Sequence, residues 1–183
     1  MEIEKTPIEG LIIIKPNVFK DDRGYFFEAF NQKKFGEQGI NYNFVQDNES
    51  ESQYGVVRGL HFQDAPYAQA KLVRVLQGKV FDVAVDLRIN SPTYKRWFGV
   101  ELNEDNKYQL MIPRGFAHGF SVLSQRAVFH YKCDNYYNKE SERGIIYNDK
   151  ALNIDWRIAG NDMILSEKDR LLPDFENSIH NFY

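Results

Sequence analysis

Sulfur is scarce in this chain of 183 residues: three methionines and a single cysteine, Cys133. One thiol closes no intrachain disulfide, which suits a reducing compartment and leaves stability to the core. No apolar run nears the ~18 residues that a membrane span requires. The opening Met1-Glu-Ile-Glu-Lys-Thr6 lacks the basic-then-apolar layout of a secretory signal. A cytoplasmic protein with no membrane partner is the expectation. Charge is not concentrated either: 23 Lys+Arg against 26 Asp+Glu leave a net −3 and no long basic block. That argues against a nucleic-acid groove. Histidine occurs only at 61, 118, 130 and 180, with no His-x-His pair, so a metal site is not expected. Repeats, low-complexity tracts and linkers are missing, which predicts one domain over residues 1–183.

Aromatic side chains are abundant, 15% of the chain with 14 Phe and 11 Tyr. Such side chains fit pleated surfaces and favour a β-rich domain. Short apolar or alternating runs predict strands at Leu11–Ile14, Tyr25–Phe30, Val56–Phe62, Lys71–Leu76, Val80–Leu87, Trp97–Leu102, Tyr108–Ile112, Gly119–Leu123 and Ala127–Cys133. Asp21-Asp-Arg-Gly24 and Asn90-Ser-Pro92 read as turns. Asn31–Gln38 reads as a short helix ended by Gly39, and Ser166–Leu172 as a helical turn. Many short strands between turns imply a sandwich or barrel. Spacing leaves jelly roll, immunoglobulin-like sandwich and up-and-down barrel open. Arg58, His61, Lys71 and His118, on or beside strands, suit the mouth of a small double-stranded β-helix.

The chemistry concentrates in Arg58-Gly-Leu-His61, Lys71, His118 of the Pro113–His118 block, and Tyr131. Such a set can hold an anion, move a proton and stabilise an oxyanion. Strict alternation puts Arg58 and His61 on opposite faces, unless Gly59 forms a bulge. Phe129, Tyr131 and Cys133 share a face, with His130 on the other. From its strand alone Tyr131 reads as core packing; in this company it is a candidate proton donor. Lys71 heads an apolar strand, where partial burial would leave an ammonium in want of a negative partner such as an enolate. Asp169 follows Ser166 as part of a helix start, or else orients His61. Gln46-Asp-Asn48, Arg23 and Glu28 read as turn and surface chemistry, although Arg23 and Arg58 match phosphate geometry. Tyr136 and Tyr137 offer a flat face to a base.

These residues lie in a wider set of ordered motifs: Asp22–Glu28, Phe44–Asn48, Val57–Gln63, Lys71–Val75, Phe81–Arg88, Ile112–Phe120, Tyr131-Lys132, Tyr136-Tyr137, Glu142–Gly144 and Leu165–Asp169. Across nearly its whole length the chain resembles the cupin-fold dTDP-4-dehydrorhamnose 3,5-epimerase family. The resemblance implies an all-β cupin jelly roll, a dTDP-sugar substrate, no cofactor and no metal. It implies His61 as proton acceptor with Asp169 as its partner, Tyr131 as proton donor, and Lys71 on the enolate oxygen. It implies that Arg23, Glu28, Gln46, Asp47, Asn48, Arg58, His118, Glu142 and Lys168 bind the nucleotide sugar, with Tyr136 suited to stack on thymine. It also implies a homodimer whose N-terminal strands, carrying Arg23 and Glu28, reach the partner's site. Departures are small: Phe62 stands where Tyr is common, and Asp64-Ala-Pro66 varies a loop. Leu171–Tyr183 matches no motif.

Overall fold

Strands dominate the computed structural model, which describes residues 1–183. They are β1 (Glu2–Lys5), β2 (Ile12–Lys15), β3 (Phe19–Asp21), β4 (Gly24–Phe26), β5 (Gln46–Gln53), β6 (Val57–Gln63), β7 (Lys71–Gln77), β8 (Lys79–Asp86), β9 (Trp97–Asn103), β10 (Gln109–Ile112), β11 (Phe116–Val122), β12 (Arg126–Cys133) and β13 (Glu142–Gly144). Two short α-helices accompany them, α1 (Gln32–Glu37) and α2 (Glu167–Arg170). The strands form a six-stranded sheet, β1-β2-β10-β7-β12-β5, a five-stranded sheet, β13-β6-β11-β8-β9, and the hairpin β3-β4. The two larger sheets pack face to face as the all-β jelly roll of the cupin type.

Alternation along the strands explains the layers. Val73, Val75 and Phe129 of the larger sheet meet Val80, Ala84, Phe116 and Phe120 of the other. The outer face of the five-stranded sheet is also covered: Phe62, Phe81, Val83 and Val85 pack against Ile145, Trp156 and Phe175. On the far side Ile14, Leu72 and Met111 pack against Phe35 of α1 and Ile40. Each fully buried Phe, Leu or Ile contributes roughly 1.5–3 kcal/mol of transfer free energy. β8 therefore has no solvent face; its alternation separates two cores rather than core from water.

The helix at Asn31–Gln38 forms nearly as expected, with the Asn31 side chain accepting from the Lys34 N–H and Gly39 at φ +81° after the end. The expected strand at Tyr25–Phe30 is shorter, because only Gly24–Phe26 pairs, and with β3 alone. Beyond it, Phe30 turns into the third core, between Phe35 and Phe44. β5 is absent from the sequence expectations. Its residues, Gln-Asp-Asn-Glu-Ser-Glu-Ser-Gln, are all polar, so hydropathy shows no period. It is an edge strand that turns Gln46, Asn48, Ser50 and Ser52 toward a polar interior and its acidic residues toward water.

The C-terminal stretch closes one end. Phe175 is fully buried, Phe182 pairs with Arg88, and the His180 ring packs against Phe62 and Phe175. His180 Nδ1 lies 3.0 Å from the Ser178 carbonyl and Nε2 lies 2.8 Å from the Tyr94 hydroxyl. These partners match a neutral ring that donates from Nδ1 and accepts from Tyr94, and burial pushes the His180 pKa down.

Candidate active site

β6 resolves the conflict between Arg58 and His61. His61 pairs with His118 of β11, while Arg58 pairs with Phe120. Three steps on β6 thus match two on β11, and the extra residue turns Arg58 and His61 into the same cavity. Gly59 makes this possible. It sits at φ +126°, and a Cβ there would lie 2.6 Å from Gly119 Cα and 2.9 Å from the His118 carbonyl.

α2 brings the carboxylate. Ser166 caps this helix by accepting from the Asp169 N–H at 3.1 Å, and the buried Asp169 carboxylate meets His61 Nε2 at 2.6 Å. The two readings of Asp169 are therefore compatible: its backbone belongs to the cap and its side chain to His61. Burial alone would raise its pKa. The hydrogen bond and charge of His61, with the Ser166 and Gly59 contacts, hold it below the usual carboxylate range.

Tyr131 and Lys71 come from the opposite sheet, on the paired strands β12 and β7. Both line the same cavity as His61, of about 530 Å³. Lys71 Nζ lies 5.9 Å from the centre of the Tyr131 ring. Lys71 is half-buried, and no carboxylate forms a salt bridge with it. Burial pushes its pKa down, while Cys133, Asp82 and Glu142 pull it back. Burial pushes the Tyr131 phenol up, which keeps it protonated at neutral pH. His118 lines this cavity too, its Nε2 3.0 Å from Asp82 Oδ2 and its ring stacked beside Phe129. Sequence reading passed over Asp82. A lone acid inside Val80-Phe-Asp-Val-Ala-Val85 was the available signal, since a buried carboxylate needs a partner.

A smaller cavity of about 160 Å³ adjoins the first and shares His61, Lys71 and Tyr131 with it. Gln46, Asn48 and Glu142 line it. Lys168 lines the larger cavity and binds Glu142 at 2.6 Å. Glu142 also accepts from the Tyr137 hydroxyl at 3.1 Å. Arg58 makes only neutral contacts, with Ser52 Oγ and the Glu51 carbonyl.

Four residues of the expected site lie elsewhere in the chain. Asp47 faces the outside of β5, where Lys132 holds its carboxylate at 2.8 Å. Arg23 is 90% exposed on the β3-β4 hairpin and pairs with Asp21, and Glu28 pairs with Lys34. Tyr136 is 62% exposed and lines neither cavity; its neighbour Tyr137 lines the smaller one. The segment between β12 and β13 has no regular period, so sequence held no signal to choose between these tyrosines.

A wider polar depression of about 1000 Å³ borders Arg58 but has one apolar lining residue and none of His61, Tyr131 or Lys71. The cavity of about 530 Å³, more apolar than this depression, fits acid-base chemistry better, because partial desolvation strengthens charge interactions. Two opposed proton-transfer groups with a cation lining the same cavity can exchange a proton at a carbon next to a carbonyl. No three His, Cys, Asp or Glu side chains are grouped as metal ligands.

Comparison with known proteins points the same way. A dTDP-4-dehydrorhamnose 3,5-epimerase from Shigella flexneri is 55% identical over 170 residues, covering 92% of this chain and 93% of that protein. The crystal structure of such an epimerase from Elizabethkingia anophelis superposes with a TM-score of 0.93 at 58% identity, covering 97% of both chains. A Legionella pneumophila epimerase, solved in complex with dTDP-4-keto-L-rhamnose, superposes with a TM-score of 0.92 at 50% identity, covering 96% of this chain and 93% of that one. The family model described as dTDP-4-dehydrorhamnose 3,5-epimerase matches residues 5–177, and the chain belongs to that family.

Proposed function

We infer that this protein epimerises dTDP-4-dehydro-6-deoxy-D-glucose at C3 and C5 to dTDP-4-dehydro-L-rhamnose, in dTDP-L-rhamnose biosynthesis. One observation carries the reading: His61 and Tyr131 stand on opposed sheets and line one cavity, with Lys71 beside them. The C4 ketone acidifies the hydrogens on C3 and C5, because either carbanion delocalises onto the ketone oxygen. His61 takes the proton; with Asp169 on Nε2, its Nδ1 is the accepting atom. Lys71 holds the enolate oxygen, for which one well-placed donor lowers a barrier by ~3–4 kcal/mol. The Tyr131 phenol returns a proton from the other face, and the centre inverts. Solvent restores the phenol and removes the imidazolium proton, so the proton balance closes.

Arg58 and Lys168 offer cations to the diphosphate, with Gln46, Asn48, His118 and Glu142 as polar walls. Tyr137, half-exposed at the rim and tied to Glu142, is the ring we assign to thymine, in place of Tyr136. Incubation of the pure protein with dTDP-4-dehydro-6-deoxy-D-glucose in deuterium oxide is expected to put deuterium at both C3 and C5. Label at one carbon alone would make it a single-centre epimerase, and no label would remove the activity.

The protein we propose is a cytoplasmic homodimer. Its free, buried Cys133 suits a reducing compartment. Phe19, Tyr25 and Phe26 are 63%, 56% and 70% exposed on one hairpin, an apolar group fit for a second copy. Arg23 sits on that hairpin and Glu28 just beyond it, and on this reading both serve the partner's cavity. Sedimentation or light scattering is expected to give twice the 21.5 kDa protomer mass; a monomer would rule out a shared site.

A further inference from the structure

We propose that Gln63 is a positioning residue for nucleotide binding, whose amide holds the Tyr136–Asn138 segment so that Tyr137 meets the base already in place. The proposal rests on the assignment of Tyr137 to the base.

Tyr137 lies in an irregular connection between β12 and β13. No backbone group bonds to the Tyr136 carbonyl, the Tyr137 N–H or the Asn138 N–H. Side-chain amides take their place. Gln63 donates to the Tyr136 carbonyl at 3.2 Å and accepts from the Asn138 N–H at 2.7 Å. Its second N–H goes to the Tyr67 carbonyl at 2.7 Å, which ties the segment to the neighbouring loop. Gln46 Oε1 accepts from the Tyr137 N–H at 2.9 Å. The Tyr137 hydroxyl is anchored on Glu142, yet its side chain stays about half exposed.

Gln63 is itself 5% exposed and stands two residues from His61, opposite Glu142 in the β6-β13 pairing. Both of its amide hydrogens are committed, so it has no donor left for a ligand. It borders the smaller cavity, with its amide group turned to the backbone of the two loops. Its effect on binding therefore runs through Tyr137. A ring fixed before binding loses little freedom when a base stacks on it, whereas a loose segment must be ordered first.

The test is a double-mutant cycle on dTDP affinity by calorimetry, using Gln63→Leu, Tyr137→Ala and the double variant, with kcat and KM beside it. Gln63→Leu is expected to weaken dTDP and raise KM by about tenfold, as for a lost stack. Its kcat should stay within about twofold, because the proton-transfer groups are untouched. The double variant should bind dTDP within about twofold of Tyr137→Ala alone, since Gln63 has nothing further to lose. Additive losses, or a Gln63→Leu variant with unchanged dTDP affinity, overturn the proposal. If Tyr137→Ala binds dTDP normally, the assignment of Tyr137 to the base is what fails. If Gln63→Leu does not fold, Gln63→Glu carries the same test: it keeps the size but sets a carboxylate against two carbonyls.

Discussion

Turnover of the His61→Ala variant is expected to fall by roughly 10²–10⁴-fold, while dTDP still binds. The loss corresponds to about 3–5 kcal/mol of barrier. Alanine removes the only imidazole in this cavity whose ring meets the Asp169 carboxylate. The second one, His118, is taken up by Asp82 and pairs with His61 across β11 and β6. It sits in the same sheet as the lost base and does not replace it from the other side. Binding should survive because the cations we assign to the diphosphate, Arg58 and Lys168, stay on their own elements. The measurement is solvent-deuterium uptake at C3 and C5 by proton NMR. Uptake at the wild-type rate would assign the base elsewhere.

Tyr131→Phe separates the two halves of the reaction. Phenylalanine keeps the ring that packs beside Phe129 and loses only the hydroxyl, so folding should change little. His61 still removes the proton and Lys71 still holds the enolate. The carbanion is then reprotonated from the His61 face, which regenerates substrate. The variant is expected to exchange deuterium into unconverted substrate while product formation drops by roughly 10²-fold or more. Wild-type product formation would show that another group delivers the proton. The raised pKa of the buried phenol gives the sign of the pH response. Tyr131 stays protonated through neutral pH, so loss of the acid belongs to the alkaline side of its ordinary value of 10.0.

How far the sequence could be read depended on whether a residue's surroundings were periodic. β7, β9, β11 and β12 show apolar alternation or apolar runs, and the structure forms them within a few residues of the expected ends. α1 and α2 carry their caps, Asn31 and Ser166, in the chain itself. β5 escaped because its inner face borders a polar cavity, so both faces are hydrophilic. The same strand shows why Gln46 and Asn48 line the cavity while Asp47, between them, turns outward to Lys132.

Sequence by itself determined the β class, the positions of the short helices and which side chains were candidates for acid, base and cation, because these depend on local pattern and residue type. Tertiary structure alone decided which of them meet. His61 and Asp169 are 108 residues apart and touch at 2.6 Å, and Arg58 and His61 share a cavity only through the extra residue at Gly59. It also chose Tyr137 over Tyr136 for the cavity wall, through amides of Gln46 and Gln63. The reason is physical: alternation specifies the face a side chain takes, whereas sheet pairing, register and loop anchoring settle what that face confronts.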